Sequence, residues 1–155
     1  MNLRCNEIGL DLIISESLLE HMYKIGMEHY PSEFGGILVG YYSEDMVTCT
    51  ICETIIPEKY TTSKYSFERG KEGLFEKLEL YFNQVPKLIY VGEWHTHPDM
   101  STNPSLTDRQ ALQDIANNNE VNITNPVLII LSNNKNGYTF SSYIQFKNQL
   151  YKYEK

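Results

Sequence analysis

Hydrophobic residues recur along this chain in two rhythms, and the switch between them marks out the elements. Residues 10–14, Leu-Asp-Leu-Ile-Ile, form a short apolar run that predicts a strand. Ser15 then precedes Leu18, Leu19, Met22 and Ile25 at helical spacing, so an N-capped amphipathic helix is expected to about residue 29, with Pro31 ending it. Residues 34–41 read as a buried strand opened by a glycine pair, Gly35-Gly36. Residues 46–56 are its antiparallel partner across the polar Ser43-Glu44-Asp45 turn. Residues 59–69 are polar and aromatic without a clear period and read as a loop, with room for a short strand near 65–67. A second amphipathic helix is expected over 70–83, with Leu74, Phe75, Leu78 and Phe82 on one side. Residues 87–97 are rich in β-formers, and Pro98 and Pro104 mark the following stretch as a loop. A third helix should run over 105–117, with Leu106, Ile115 and Ala116 as candidate core contacts. A continuous apolar strand over 127–131, a turn over 133–137 and a last strand over 138–146 complete the pattern. The tail, 147–155, reads as a short helix or a frayed end. Strands joined as hairpins and mixed with three helices predict an α/β fold, a curved mixed sheet with helices packed on it.

Composition adds limits to this outline. A chain of 155 residues suits a single domain over 1–155 and is long enough to bury a real core. Thirteen Lys and Arg against twenty Asp and Glu give a net charge of −7, which argues against a phosphate-tracking surface, so no nucleic-acid partner is expected. No stretch approaches the ~18 apolar residues of a membrane helix, and the first residues show no apolar secretion signal, so the expectation is a cytoplasmic protein without a membrane partner. Three cysteines are an odd number, which fits reduced thiols better than a disulfide framework. Cys49 and Cys52 form a Cys-x-x-Cys, but on a strand residues three apart face opposite sides, and the remaining cysteine, Cys5, is isolated.

The chemistry concentrates in residues 95–108, His-Thr-His-Pro-Asp-Met-Ser-Thr-Asn-Pro-Ser-Leu-Thr-Asp. Side chains on a strand alternate faces, so His95 and His97 project the same way and both imidazoles reach one ion. Asp108 is the leading third ligand. Three protein ligands leave the fourth tetrahedral position of a zinc ion open, which separates a catalytic site from a closed structural one. Glu93, Asp99 and Asp114 compete for the third place. Glu93 shares the strand face of the histidines, but ligands at i, i+2 and i+4 on one strand spread over about 13 Å, so it reads instead as a group behind the ligands or facing substrate. Hydrolysis also needs a carboxylate to move the proton, and Glu33, just ahead of the glycine pair, is the candidate. A glutamate before a strand is more often a solvated loop charge, and spacing alone does not bring it beside the histidines. Ser105 and Asp108 also match a helix capping box. That role is compatible with Ser105 donating a hydrogen bond to an oxyanion and Asp108 reaching the metal. His21 and His29, two turns apart on the first helix, read as surface or core-edge residues.

With Glu33, His95, His97, Ser105 and Asp108 assigned, the chain resembles the JAMM family, also called MPN+ or JAB metalloproteases. Its pattern is a glutamate ahead of a strand, then His-x-His-Pro and, past a short loop, Ser-x-x-Asp. The resemblance covers nearly the whole chain. It implies a single MPN/JAB domain of cytidine-deaminase-like α/β fold, with Zn²⁺ held by His95, His97 and Asp108, Glu33 as general base and then acid, and Ser105 steadying the oxyanion. The implied reaction is hydrolysis of a peptide or isopeptide bond after the C-terminal residue of a ubiquitin-like protein. Where eukaryotic members commonly carry Trp two residues before the first histidine, this chain has Glu93, with Trp94 next. The order Gly-Glu-Trp-His-Thr-His-Pro is similar to a bacterial subgroup of antiviral CBASS operons, in which the protease removes a CD-NTase from its conjugates. The implied partner is thus the C-terminal tail of a conjugated CD-NTase or other ubiquitin-like protein. Competing expectations are the same chemistry on another bacterial ubiquitin-like or sulfur-carrier protein, and a non-catalytic MPN scaffold.

Overall fold

The computed structural model describes residues 1–155 as ten strands and three helices. The elements are β1 (Asn2–Cys5), β2 (Leu10–Ile14), α1 (Glu16–His29), β3 (Gly35–Tyr42), β4 (Thr48–Ile55), β5 (Tyr60–Ser63), β6 (Ser66–Arg69), α2 (Leu74–Phe82), β7 (Ile89–Thr96), α3 (Leu106–Ala116), β8 (Val127–Asn134), β9 (Gly137–Phe146) and β10 (Gln149–Lys152). Eight strands form one sheet in the order β1-β2-β4-β3-β7-β8-β9-β10, with β2–β4 and β7–β8 parallel and the other pairs antiparallel. The backbones of Arg4 and Glu154 exchange hydrogen bonds of 2.8 and 2.9 Å, so the two edges of the sheet meet at one end. That contact covers strand edges that would otherwise invite pairing with another chain.

The helices occupy opposite faces. Ser15 Oγ accepts from Leu18 N at 3.1 Å, and α1 then buries Leu18, Leu19, Met22 and Gly26 on the face carrying Leu12, Ile14, Leu38, Trp94, Ile129 and Leu131. Cross-strand pairs Glu93↔Ile37, Glu93↔Leu128 and His95↔Ile130 lie on the other face. There α2 covers Ile37, Val39, Ile55 and Leu88 at one end, while Leu112 of α3 packs on Leu128, Ile130 and Tyr143 at the other. The strip of β7 between these two helices carries His95. No helix is long and apolar enough to cross a membrane.

Several expectations change. The stretch 59–69 is a hairpin, β5–β6, paired from Tyr60↔Arg69 to Ser63↔Ser66 and forming its own small sheet. The tail is a strand, because Lys147 and Asn148 both take positive φ (47° and 66°) and turn the chain in a two-residue hairpin of the type that matches strand twist. Residues 2–5, to which the pattern assigned no element, pair with β2. In α2 the sheet-facing stripe is Leu74, Leu78 and Tyr81, whereas Phe75 and Phe82 point outward, 72% and 48% exposed. In α3 the buried anchor is Leu112, not Leu106, which is 86% exposed.

Candidate metal centre

The site begins with a glycine. Gly35 pairs with His95 across β3–β7, and a Cβ there would sit 2.1 Å from Trp94 O and 2.9 Å from His95 Cα. Only hydrogen fits, so the two strands close up and the chain just before β3 reaches the ligand strand. Phe34 N donates to Thr96 Oγ1 at 3.0 Å, and Thr96 N donates to Phe34 O at 2.8 Å. Glu33, one residue earlier, is thereby buried at 6% exposure, against the general tendency of a pre-strand glutamate to be solvated. Beyond β7, His97 N donates to Leu131 O at 2.8 Å, prolonging the parallel pairing by one residue and keeping the second imidazole in line with the first.

The three expected ligands converge. His95 Nε2 and His97 Nε2 are 3.0 Å apart, Asp108 Oδ1 is 3.3 Å from His95 Nε2, and Asp108 Oδ2 is 3.5 Å from His97 Nε2. Ligand atoms about 2.0–2.1 Å from a tetrahedral zinc lie roughly 3.3 Å from one another, so these separations fit one ion. His97 Nδ1 is 2.9 Å from Ser101 O, to which it donates, and that bond leaves Nε2 free to offer its lone pair. Burial alone would raise the Asp108 carboxyl, but hydrogen bonds from His95 and His97, then the His95 charge and a Ser105 hydrogen bond, hold it well below the usual carboxylate range. Burial opposes charge on His97, yet Asp108, Ser101 O and the nearby Glu33 raise its pKa above the usual imidazole value. Burial also raises Glu33, partly offset by His95 and His97 and reinforced by Asp108, which puts Glu33 within electrostatic reach of the cluster. Two imidazole nitrogens and one carboxylate oxygen are a donor set suited to zinc.

The model of prokaryotic homologs of the JAB domain matches residues 15–143, which spans Glu33, both histidines and Asp108. The chain belongs to the prokaryotic JAB family. A protein of Enterobacter hormaechei named CD-NTase/cGAS isopeptidase is 38% identical over 133 residues, 84% of this chain and 73% of that protein. A probable metalloprotease, y4qB of Sinorhizobium fredii, is 30% identical over 120 residues, 76% of this chain and 73% of its own. The solution structure of protein DSY2949 from Desulfitobacterium hafniense superposes with a TM-score of 0.64 at 17% identity, over 92% of this chain and 90% of the other, and so shares the fold. This JAB domain is a zinc metalloprotease of the isopeptidase kind.

Asp108 of the JAB domain also completes a capping box on α3. Ser105 Oγ accepts from Asp108 N at 3.1 Å, and Asp108 Oδ2 accepts from Ser105 N at 2.7 Å. One carboxylate therefore caps a helix and faces the imidazoles. Ser105 is exposed, and its hydroxyl accepts in the cap and lies against the Asp108 carboxylate, whose pKa it helps to lower. The rival carboxylates are engaged elsewhere. Asp99 accepts from Tyr30 OH at 2.7 Å, Asp114 accepts from Gln110 Nε2 at 2.8 Å, and Glu93 accepts from Arg69 Nε at 2.9 Å and Tyr90 OH at 2.8 Å. The loop to Ser105 is pinned by Tyr143 OH on Thr102 O at 2.9 Å and by Thr102 Oγ1 to Ser141 Oγ at 2.8 Å. Arg69, Tyr90 and Thr96 are neighbours of the site that the residue pattern did not single out. Arg69 lay in a stretch without period, and nothing local links it to Glu93. His29 stacks on Phe34 with centroids 3.6 Å apart, a core-edge role as expected, and His21 is exposed. The three cysteines are free.

Proposed function

We propose that this JAB domain cleaves the bond joining the C-terminal residue of a conjugated CD-NTase to a target amine, reversing that conjugation in bacterial antiviral CBASS defence. The observation that carries the substrate is the 38% identity, over most of both chains, to the relative named CD-NTase/cGAS isopeptidase. The convergence of His95, His97 and Asp108 with Glu33 beside them supports the chemistry.

His95 and His97 through Nε2, and Asp108 through its carboxylate, would hold the ion. Zinc, when bound, supplies a Lewis acid that polarises the scissile carbonyl and makes water acidic enough to react near neutral pH. The Glu33 carboxylate takes the proton of the attacking water and returns it to the departing amine. Its burial suits the second half of that task, since desolvation raises the carboxyl pKa and so favours the protonated form that hands the proton to the amine. Ser105 turns its hydroxyl proton to the developing oxyanion. The substrate tail binds in an extended form across the metal site, the conformation that suits a flexible C-terminus. His95 and Glu33 hold fixed places relative to one another through the Gly35 pairing, so the nucleophile and its proton acceptor are set before substrate arrives.

Measuring cleavage of a CD-NTase fused through its C-terminus to a reporter tests this. Glu33→Ala should slow cleavage by on the order of 10²- to 10⁴-fold while zinc stays bound. Equal rates for the two proteins remove Glu33 from the mechanism. Efficient cutting of a fusion to a different ubiquitin-like or sulfur-carrier protein, with the CD-NTase fusion left intact, would overturn the substrate.

A further inference from the structure

We infer that the Arg69–Glu93 ion pair, steadied by Tyr90, is a positioning device that sets Glu33 over the His95–His97–Asp108 cluster by way of the β5–β6 hairpin. The inference rests on the proposed reading of Glu33 as the proton-transfer group.

Both backbone polar groups of Glu33 are tied to the hairpin. Its N–H donates to Ser63 O at 2.8 Å, and its carbonyl accepts from Thr62 Oγ1. Where β5 goes, Glu33 goes. The hairpin is a two-stranded sheet of its own, and an isolated pair of short strands is marginal in water, so something else must locate it. At the β5 end, Tyr60 lies edge-on to Phe34 and its hydroxyl is 3.2 Å from His29 Nε2. Opposite Tyr60, at the same open end of the hairpin, Arg69 forks onto Glu93, Nε at 2.9 Å from Oε2 and Nη2 on Oε1. Tyr90 OH donates to the same Oε1 at 2.8 Å.

The pair is poorly explained as a device for stability alone. Arg69 and Glu93 side chains are only 20% and 16% exposed, and a buried ion pair of this kind is commonly matched or exceeded in stability by apolar residues of similar size. What a bidentate fork adds is orientation, because a planar guanidinium meets a carboxylate in one geometry. Glu93 stands two residues before His95 on the same face of β7. A chain of contacts therefore leads from the ligand strand through Glu93, Arg69, β6 and β5 back to the Glu33 backbone. The proton acceptor and the metal ligands take their positions from one strand.

The test uses the zinc-loaded full chain and the CD-NTase–reporter fusion. Arg69→Met should lower kcat between about 10- and 100-fold through displacement of the base, with KM changed less, one zinc per chain retained, and hydrogen exchange at the Glu33 amide accelerated. Arg69→Lys, which keeps the charge and loses the fork, should fall between the two, and it serves where the methionine variant folds poorly. Combining Arg69→Glu with Glu93→Arg should recover part of the loss. In a Glu33→Ala background, Arg69→Met should have no further effect on kcat. The inference is overturned if Arg69→Met cleaves as fast as wild type, loses zinc, or slows the Glu33→Ala protein by the same factor. Full activity of Glu33→Ala alone would instead refute the role of Glu33, and the amide-exchange comparison would still decide whether Arg69 anchors that backbone.

Discussion

Asp108 serves two masters at the residue scale, as the acceptor that caps α3 and as the carboxylate facing two imidazoles, and the pH response of the site follows from it. In the metal-free protein the His97 pKa is raised above its unfolded value near 6.5, so the stabilisation it brings is fully present below that value and lost as pH rises through the higher folded value. Asp108 runs the other way: its folded pKa is depressed, so its contribution is present above the usual carboxylate value and lost only as pH falls through the depressed one. The metal-free fold thus gains from both groups in mildly acidic solution, where zinc is weakest, because protons compete for the same imidazole nitrogens. We expect zinc affinity, measured by competition with a chromophoric chelator, to fall steadily from pH 8 towards pH 5, with activity following it. An affinity flat over that range would contradict the assigned ligands. Much of this scale was legible in the residue pattern, since the alternation of a strand places His95 and His97 on one face, and a capping box announces itself by spacing. The partners of Glu93 were not legible. Arg69 lies 24 positions away, and only the packing of a hairpin onto the sheet makes them neighbours.

Elements differ in how they hold the site. β7 is fixed by ladders on both sides, whereas α3 is held over β8 and β9 chiefly by one buried side chain, Leu112, 2% exposed. Leu112→Ala should cost about 2–5 kcal/mol of stability in denaturant unfolding, and, because α3 carries Asp108, should weaken zinc binding as well. Leu106→Ala, on the same helix but 86% exposed, should change stability by less than about 0.5 kcal/mol. A reversal of those two results would mean that α3 is anchored by its first turn. Leu106 looked like a core residue because it opens the apolar pattern of the helix. The capping box puts that first turn at the mouth of the site, where its side chain meets solvent. The β5–β6 hairpin escaped the pattern for a related reason: its strands are short and mostly exposed, so no alternation of apolar and polar residues marks them.

Over the whole molecule, a curled sheet separates two functions between its faces. One packs α1 against the main core, and the other carries the strip with His95 between α2 and α3. The curl depends on residues at both ends of the sequence. Tyr153 is 3% exposed within the main core, and its hydroxyl, whose pKa burial pushes upward, has no protein hydrogen-bond partner. Tyr153→Phe should therefore leave stability within about 1 kcal/mol of wild type, whereas Tyr153→Ala should cost about 3–5 kcal/mol, measured by thermal or denaturant unfolding. A large loss on Tyr153→Phe would show that the hydroxyl carries the closure. The tail reads as a short helix or a frayed end in sequence because four short-strand residues and a two-residue turn give almost no periodic signal.

Since Arg4 and Glu154 lie side by side, the first strand and the residues after the last one sit within the span of a short linker. A circular permutant, with residues 155 and 1 joined by a short linker and new ends opened in the exposed turn after α2, should therefore keep the ladders on both sides of β7 and bind zinc as the parent does.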